Sequence, residues 1–291
     1  MTISLNRILA GVLLASAACA PNWAVGAAET VPNFGMDATV GWVAGVPNSD
    51  EPIGDDFLPP PDGPGPVMSD PAHPYIDNTY AARKGIQPTF HVADLSNPIL
   101  QPWVKEELRK VNERVLAGEG VYTPKERCWP IGVPGWLLYP VTPVYFLQTP
   151  KVVTLIWQED HMVRHIYMTD RHSANPKPSW FGESIGHYEN GDTLVVDTIG
   201  QNARTFVDQF RTPHTTQIHV VERYRLLDGG KAIEAIATVE DPGAFTTAWR
   251  GVQRYRRVEQ GPMQENVCAE NNGGFFERAA EPVPTAERPD F

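Results

Sequence analysis

The sequence predicts a mainly β fold: an antiparallel meander closed into an up-and-down, lipocalin-like barrel, with one amphipathic helix and a proline-rich N-terminal arm. Three observations predict it. Short β-forming runs recur from Val144 to Val258. Turn chemistry separates them, so neighbours in sequence become neighbours in space. About eight strands in an open sheet would leave two bare edges, and closure removes both.

The runs come in order. Tyr145 to Leu147 is the first, Val152 to Gln158 the second and Met162 to Thr169 the third, with Glu159-Asp160-His161 as a turn. Ser184 to Tyr188 and Thr193 to Ile199 flank Glu189-Asn190-Gly191-Asp192, and Asn-Gly is a strong hairpin signal. Gln217 to Leu226 and Ala232 to Val239 flank Asp228-Gly229-Gly230, and Trp249 to Val258 ends the series. A sandwich, or an open sheet under the helix, is the alternative. The helix is expected from Trp103, Val104, Leu108, Val111, Val115 and Leu116 at helical spacing, stopping near Gly118.

Ten of the 28 prolines fall within residues 31–74. Proline lacks a backbone donor and resists helices and central strands, so this stretch reads as an extended arm, packed on the body through Trp42, Phe57 and Tyr75. The start of the chain reads as a signal peptide: Arg7, then a largely apolar run of eleven residues from Ile8 to Ala18, then small residues up to Ala28. That run is too short for a bilayer, which takes roughly 20 residues. A lipoprotein centred on Cys19 is the other reading. The expected organisation is therefore 1–28 signal peptide, 29–97 arm, 98–120 helix, 121–272 β core and 273–291 tail, with the mature chain periplasmic or secreted and without a transmembrane segment.

Charged residues make up 20% and the net charge is −11, which argues against nucleic acid as a partner. Cys128 and Cys268 remain after export, and an oxidising compartment favours pairing them. Closing that loop would contribute roughly 4–5 kcal/mol in the chain-entropy account. Two separate thiols are the alternative.

Strand parity sorts the polar candidates. Ile218, Val220, Glu222, Tyr224 and Leu226 share the more apolar face, so Glu222 points inward. A carboxylate there is either a catalytic acid or base, or the partner of an arginine such as Arg164 or Arg254. Ala235 and Ala237 leave room on an inner face, for a ligand or for a covering segment. Asp197 and Asn202 suit a barrel mouth, or turn caps. His214, after Pro213, suits a rim position as general acid or base, or a turn histidine. Arg164, Asn202, Tyr224 and His187 are the candidate substrate contacts. His161 and His165, with His172 or His187, would make a metal site only if a loop folded back, because residues four apart on a strand are roughly 13 Å apart. No metal or other cofactor is expected. Gly182-Glu183-Ser184-Ile185-Gly186 matches a nucleophile-elbow spelling, but a strand and a hairpin follow it where a helix is required.

Residues 178–200 (PSWFGESIGHYENGDTLVVDTIG), Pro213-His214-Thr215, His219 to Tyr224 and Glu265 to Asn271 together resemble a family of exported bacterial β-rich proteins. The likeness covers roughly residues 125–271. It implies export and a shared β core, and it carries no activity. Members commonly read Trp-Glu-Gly-Asp where this chain has Tyr188-Glu189-Asn190-Gly191-Asp192, an insertion expected to change the hairpin loop.

The functional expectation is an exported enzyme doing metal-independent acid/base chemistry, of lyase, hydratase or isomerase type. Its substrate would be a small apolar or aromatic molecule in the barrel, with Glu222, His214 and Asp197 as catalytic groups. A lipocalin-like carrier without chemistry, or an envelope interaction protein, are the alternatives.

Overall fold

Pairing of the first strand with the last closes the sheet on itself. The computed structural model describes residues 31–35, 39–44, 57–121, 123–137, 142–259 and 263–266. Among these, nine strands form one closed barrel. They are β1 (Val40–Ala44), β2 (Val144–Gln148), β3 (Val152–Trp157), β4 (Met162–Tyr167), β5 (Glu183–Glu189), β6 (Thr193–Ile199), β7 (His219–Leu227), β8 (Ala232–Glu240) and β9 (Trp249–Glu259). Two α-helices accompany them, α1 (Asn78–Lys84) and α2 (Pro102–Leu116). No helix among the described residues is long and apolar enough to cross a membrane.

β4 shows the logic most simply: Met162, Arg164 and Ile166 are buried, while Val163, His165 and Tyr167 are exposed. The hairpin loops use left-handed backbone where the sequence supplies residues that tolerate it. Asn190 and Gly191 have φ of 56° and 72° between β5 and β6, and Asp228, Gly229 and Gly230 have 51°, 65° and 85° between β7 and β8.

The structure departs from the expected meander in three places. The first is the closing strand. Val40–Ala44 lies within the stretch read as an arm, yet it pairs antiparallel with β9 from Val40↔Glu259 to Ala44↔Tyr255 and meets β2 at Trp42↔Val144. The β core therefore does not begin at residue 121. The prolines around this segment hid a short strand that contains none. The second is the parallel contact of β4 with β5, through Ile166↔Ser184 and Tyr167↔Ile185. A crossover, residues 168–182, carries the chain back along the barrel, so the topology is not purely up-and-down. The third is α1, one short helix inside the same arm, capped by Asp77, whose Oδ1 accepts the N–H groups of Thr79 and Tyr80 at 2.9 Å.

α2 lies within the expected stretch 98–120 but is shorter, 15 residues, and it buries Val104, Leu108, Asn112 and Val115, spaced four, four and three. Trp103 and Leu116, expected on that face, are exposed instead. Trp103 still anchors the helix by donating from Nε1 to the Gly243 carbonyl at 2.7 Å.

The barrel encloses part of the hydrophobic core. Trp42, Phe146, Trp157 and Tyr224 are buried there. Ala235 and Ala237 are themselves fully buried. Ala237 sits opposite Glu222 on one side and Gly251 on the other, and Ala235 sits opposite Tyr224. A Cβ on Gly251 would lie 2.7 Å from Phe57 Cγ, so the arm delivers Phe57 onto this glycine. Leu58 then pairs with Val252 through two 2.9 Å backbone hydrogen bonds. Phe57 thus covers the glycine that pairs with Ala237.

The signal segment, Cys19, Cys268 and residues 273–291 lie outside the described residues, so the Cys128–Cys268 pairing does as well.

Candidate functional site

Two polar constellations emerge, one inside the barrel and one on its outer face. Inside, Arg164 projects from β4 towards β5, β6 and β7. It donates through Nη1 to Glu222 Oε1 at 3.0 Å, through Nη2 to Glu222 Oε2 and to Thr198 Oγ1 at 2.9 Å, and through Nε to Ser184 Oγ at 3.2 Å. Tyr224 donates its hydroxyl to Glu222 Oε1 at 2.8 Å. Arg164 is 1% exposed and Glu222 0%. Burial opposes the Arg164 charge, but the Glu222 carboxylate outweighs it and holds the guanidinium above its ordinary value. Burial, then the same carboxylate, raises the Tyr224 hydroxyl well above its own.

Glu222, Tyr224 and Arg164 thus sit together inside, as parity placed the first two. The arrangement is that of a structural ion pair: each charge is hydrogen-bonded and shut from solvent. Ser184 lies on a strand with its hydroxyl used by Arg164 and Thr198, so no nucleophile elbow forms.

The other nominated residues lie elsewhere. His214 is buried in the loop between β6 and β7, not exposed at a rim. Its Nε2 is 2.8 Å from Thr205 Oγ1, its Nδ1 is 2.9 Å from the Thr215 carbonyl, and burial lowers its basicity. Asn202 Oδ1 accepts the Arg204 N–H at 3.0 Å, a turn cap. His187 is 62% exposed and pairs with Glu189, away from Glu222. His165 points outward against Thr154, apart from His172. Among the described residues no group of three or more His, Cys, Asp or Glu side chains is placed to hold a metal ion.

Asp197 is the finding on the outer face. Leu194, Val196 and Thr198 of β6 point inward, which turns Asp197 outward, 39% exposed. Register then builds a diagonal row. Glu183 pairs with Ile199, Asp197 with Val221, and His219 with Glu240, so Glu183, Asp197, His219 and Glu240 share one face across β5 to β8. His172, from the crossover, completes the row. Its Nε2 lies 3.0 Å from Asp197 Oδ1 and its Nδ1 3.0 Å from Glu183 Oε1. His219 Nε2 lies 3.0 Å from the same Asp197 Oδ1, and its Nδ1 3.5 Å from Glu240 Oε2. The Ser173 hydroxyl and backbone N–H, with His172 behind them, hold Glu183 below the ordinary carboxylate range.

Sequence reasoning nominated Asp197 but not its partners as a set. By parity His219 falls on the face opposite Glu222, and the signal that joins it to Asp197 is the β6–β7 register. His172 lies in a crossover without periodicity, and no local pattern marks it.

Comparison with family models, with curated proteins and with solved structures gives no match, so the functional reading rests on this geometry.

Proposed function

We propose that the chain is an exported acid/base enzyme of lyase, hydratase or isomerase type, working on a small molecule at the outer-face row rather than inside the barrel. One observation carries the proposal: two imidazoles meet on one half-exposed carboxylate, and each turns its other nitrogen towards a second carboxylate. Imidazoles are suited to gain and lose protons near neutral pH. Asp197 would orient both rings, and His219, 35% exposed, would exchange the proton with substrate. Glu222 is assigned a structural role in this reading.

The test is a turnover screen over small hydroxylated and unsaturated carbonyl compounds with the wild type, D197N and H219A. General acid/base groups typically contribute about 10²–10⁴-fold, so at least a hundredfold loss of kcat/KM in both variants is expected. Full turnover in both would remove Asp197 and His219 from the chemistry.

Export and a Cys128–Cys268 bond belong to the same proposal, motivated by residues 1–28 and by the two remaining cysteines. Cell fractionation and non-reducing mass analysis test them, and a cytoplasmic, dithiol chain would contradict both. The carrier alternative rests on the closed barrel alone, and the buried Trp42, Phe146, Trp157 and Tyr224 add nothing in its favour. The interaction alternative keeps one supporting observation: Val163 and Tyr167 stand exposed on the outer face of β4. Loss of envelope partners from a pull-down with V163D/Y167D would favour it, and an unchanged partner profile would oppose it.

A further inference from the structure

The outer face of the barrel changes character at β5. From β5 to β8 it carries the charged row of Glu183, Asp197, His219 and Glu240. From β3 to β5 it carries apolar side chains instead. Ile156 stands opposite Val163, and Val152 opposite Tyr167, which in turn meets Ile185. Thr154 and His165 lie between the two pairs and contact each other. Val163 is 42% exposed and Tyr167 49%, while Val152, Ile156 and Ile185 are half-buried. Single apolar residues are ordinary on a protein surface, but several on one face mark a place of contact.

The chain itself returns to this face. β9 ends at Glu259, and residues 263–266 are described beyond it. Gln264 donates its N–H to Gln158 Oε1 at 3.4 Å. Gln158 directly follows β3, so residue 264 lies at the turn from β3 to β4, beside the Trp157↔Met162 pair and one register step from Ile156↔Val163. Between residues 256 and 290 the sequence holds two aromatic side chains, Phe275 and Phe276, side by side. Phe275 is nine residues past Asn266, a reach of up to about 30 Å. The whole of β4 spans roughly 17 Å, so the pair can reach any part of the strip. Belonging to the same chain makes the contact intramolecular, and it needs far less affinity than a free partner would.

We propose that Phe275 and Phe276 seat on the outer face of β3 to β5 and cover Val163 and Tyr167. The occupant is thus a segment of this chain, and a second copy or another protein reaches the face only by displacing it. Neither Asp197 nor His219 takes part, so the inference goes beyond the enzymatic reading and stands whether or not the row is catalytic.

Nuclear Overhauser contacts between the Val163 methyl groups and the Phe275 and Phe276 rings test it on the full chain. They should be present in the wild type, unchanged on dilution and in F291S, and lost in F275S/F276S. Chymotrypsin cleavage after Phe275 and Phe276 gives a second readout, because cleavage follows the population of the undocked segment. V163D/Y167D, which alters exposed side chains only, should speed that cleavage by at least about tenfold, as expected when the burial of two aromatic rings is lost. Absence of the contacts in the wild type, or equal cleavage rates in wild type and V163D/Y167D, would overturn the proposal. Contacts that fade on dilution would also overturn it and assign the face to a second copy.

Discussion

Glu222 and Arg164 stabilise the barrel only as a pair. Removing one partner leaves a buried charge without compensation, which costs about 3–5 kcal/mol. E222L should therefore lose that much unfolding free energy in urea, and R164M a similar amount. The double variant R164M/E222L should lose clearly less than the two single losses added together, because no unpaired charge remains. Additive losses would contradict a mutually compensating pair. Asp208 makes a separate prediction. Burial pushes its carboxyl up to about 6, even though Thr212 donates its N–H to Oδ1 at 3.0 Å. The unfolded chain releases this proton at lower pH than the folded one, so folding becomes less favourable as pH rises from about 4 to about 6, by roughly 3 kcal/mol. D208N lacks that titration. Its stability relative to wild type should rise between pH 4 and pH 7, measured by urea unfolding at each pH. At this scale the sequence was informative where parity applied: Glu222 and Tyr224 inward, Arg164 among the foreseen partners. It singled out Asp197 but did not convey which way it points, because Val195 on the same face is apolar and buried too.

Phe57 and Gly251 connect the arm to the barrel. G251A would place a methyl about 2.7 Å from the Phe57 ring, and overpacking of this kind costs roughly 1–3 kcal/mol. F57A, which removes a fully buried ring, should cost about 3–5 kcal/mol. In a double-mutant cycle the alanine at 251 should become nearly neutral once Phe57 is truncated, a non-additivity expected only for groups in contact. Equal cost of G251A in both backgrounds would show that the ring does not sit there. Removing residues 29–74 deletes β1 and Phe57 together, so that truncation should abolish cooperative unfolding rather than merely detach a docking arm. The strands from β2 to β9 were legible as elements because alternation and turn residues agree there. β1 was not, since five residues among ten prolines carry little signal. The parallel β4–β5 contact was not legible either, because it depends on where an aperiodic crossover lands.

For the molecule as a whole, closure removes the sheet edges, aromatic side chains are buried in the core, and the row of histidines and carboxylates lies on the outer face. The sequence conveyed the closed β architecture through strand count and the edge argument. It did not convey the outer-face row, because His172, Glu183, Asp197, His219 and Glu240 come from five segments and meet only through register. The central claim is that His172 and His219 share Asp197 on that face. The most direct measurement is long-range proton–nitrogen NMR of the histidine rings in wild type and D197N. The ring-nitrogen signals of both His172 and His219 should move on this substitution, while those of His187 and His214 stay in place. Unmoved His172 and His219 signals, in a chain that retains its β fold, would contradict the shared carboxylate and the functional reading built on it.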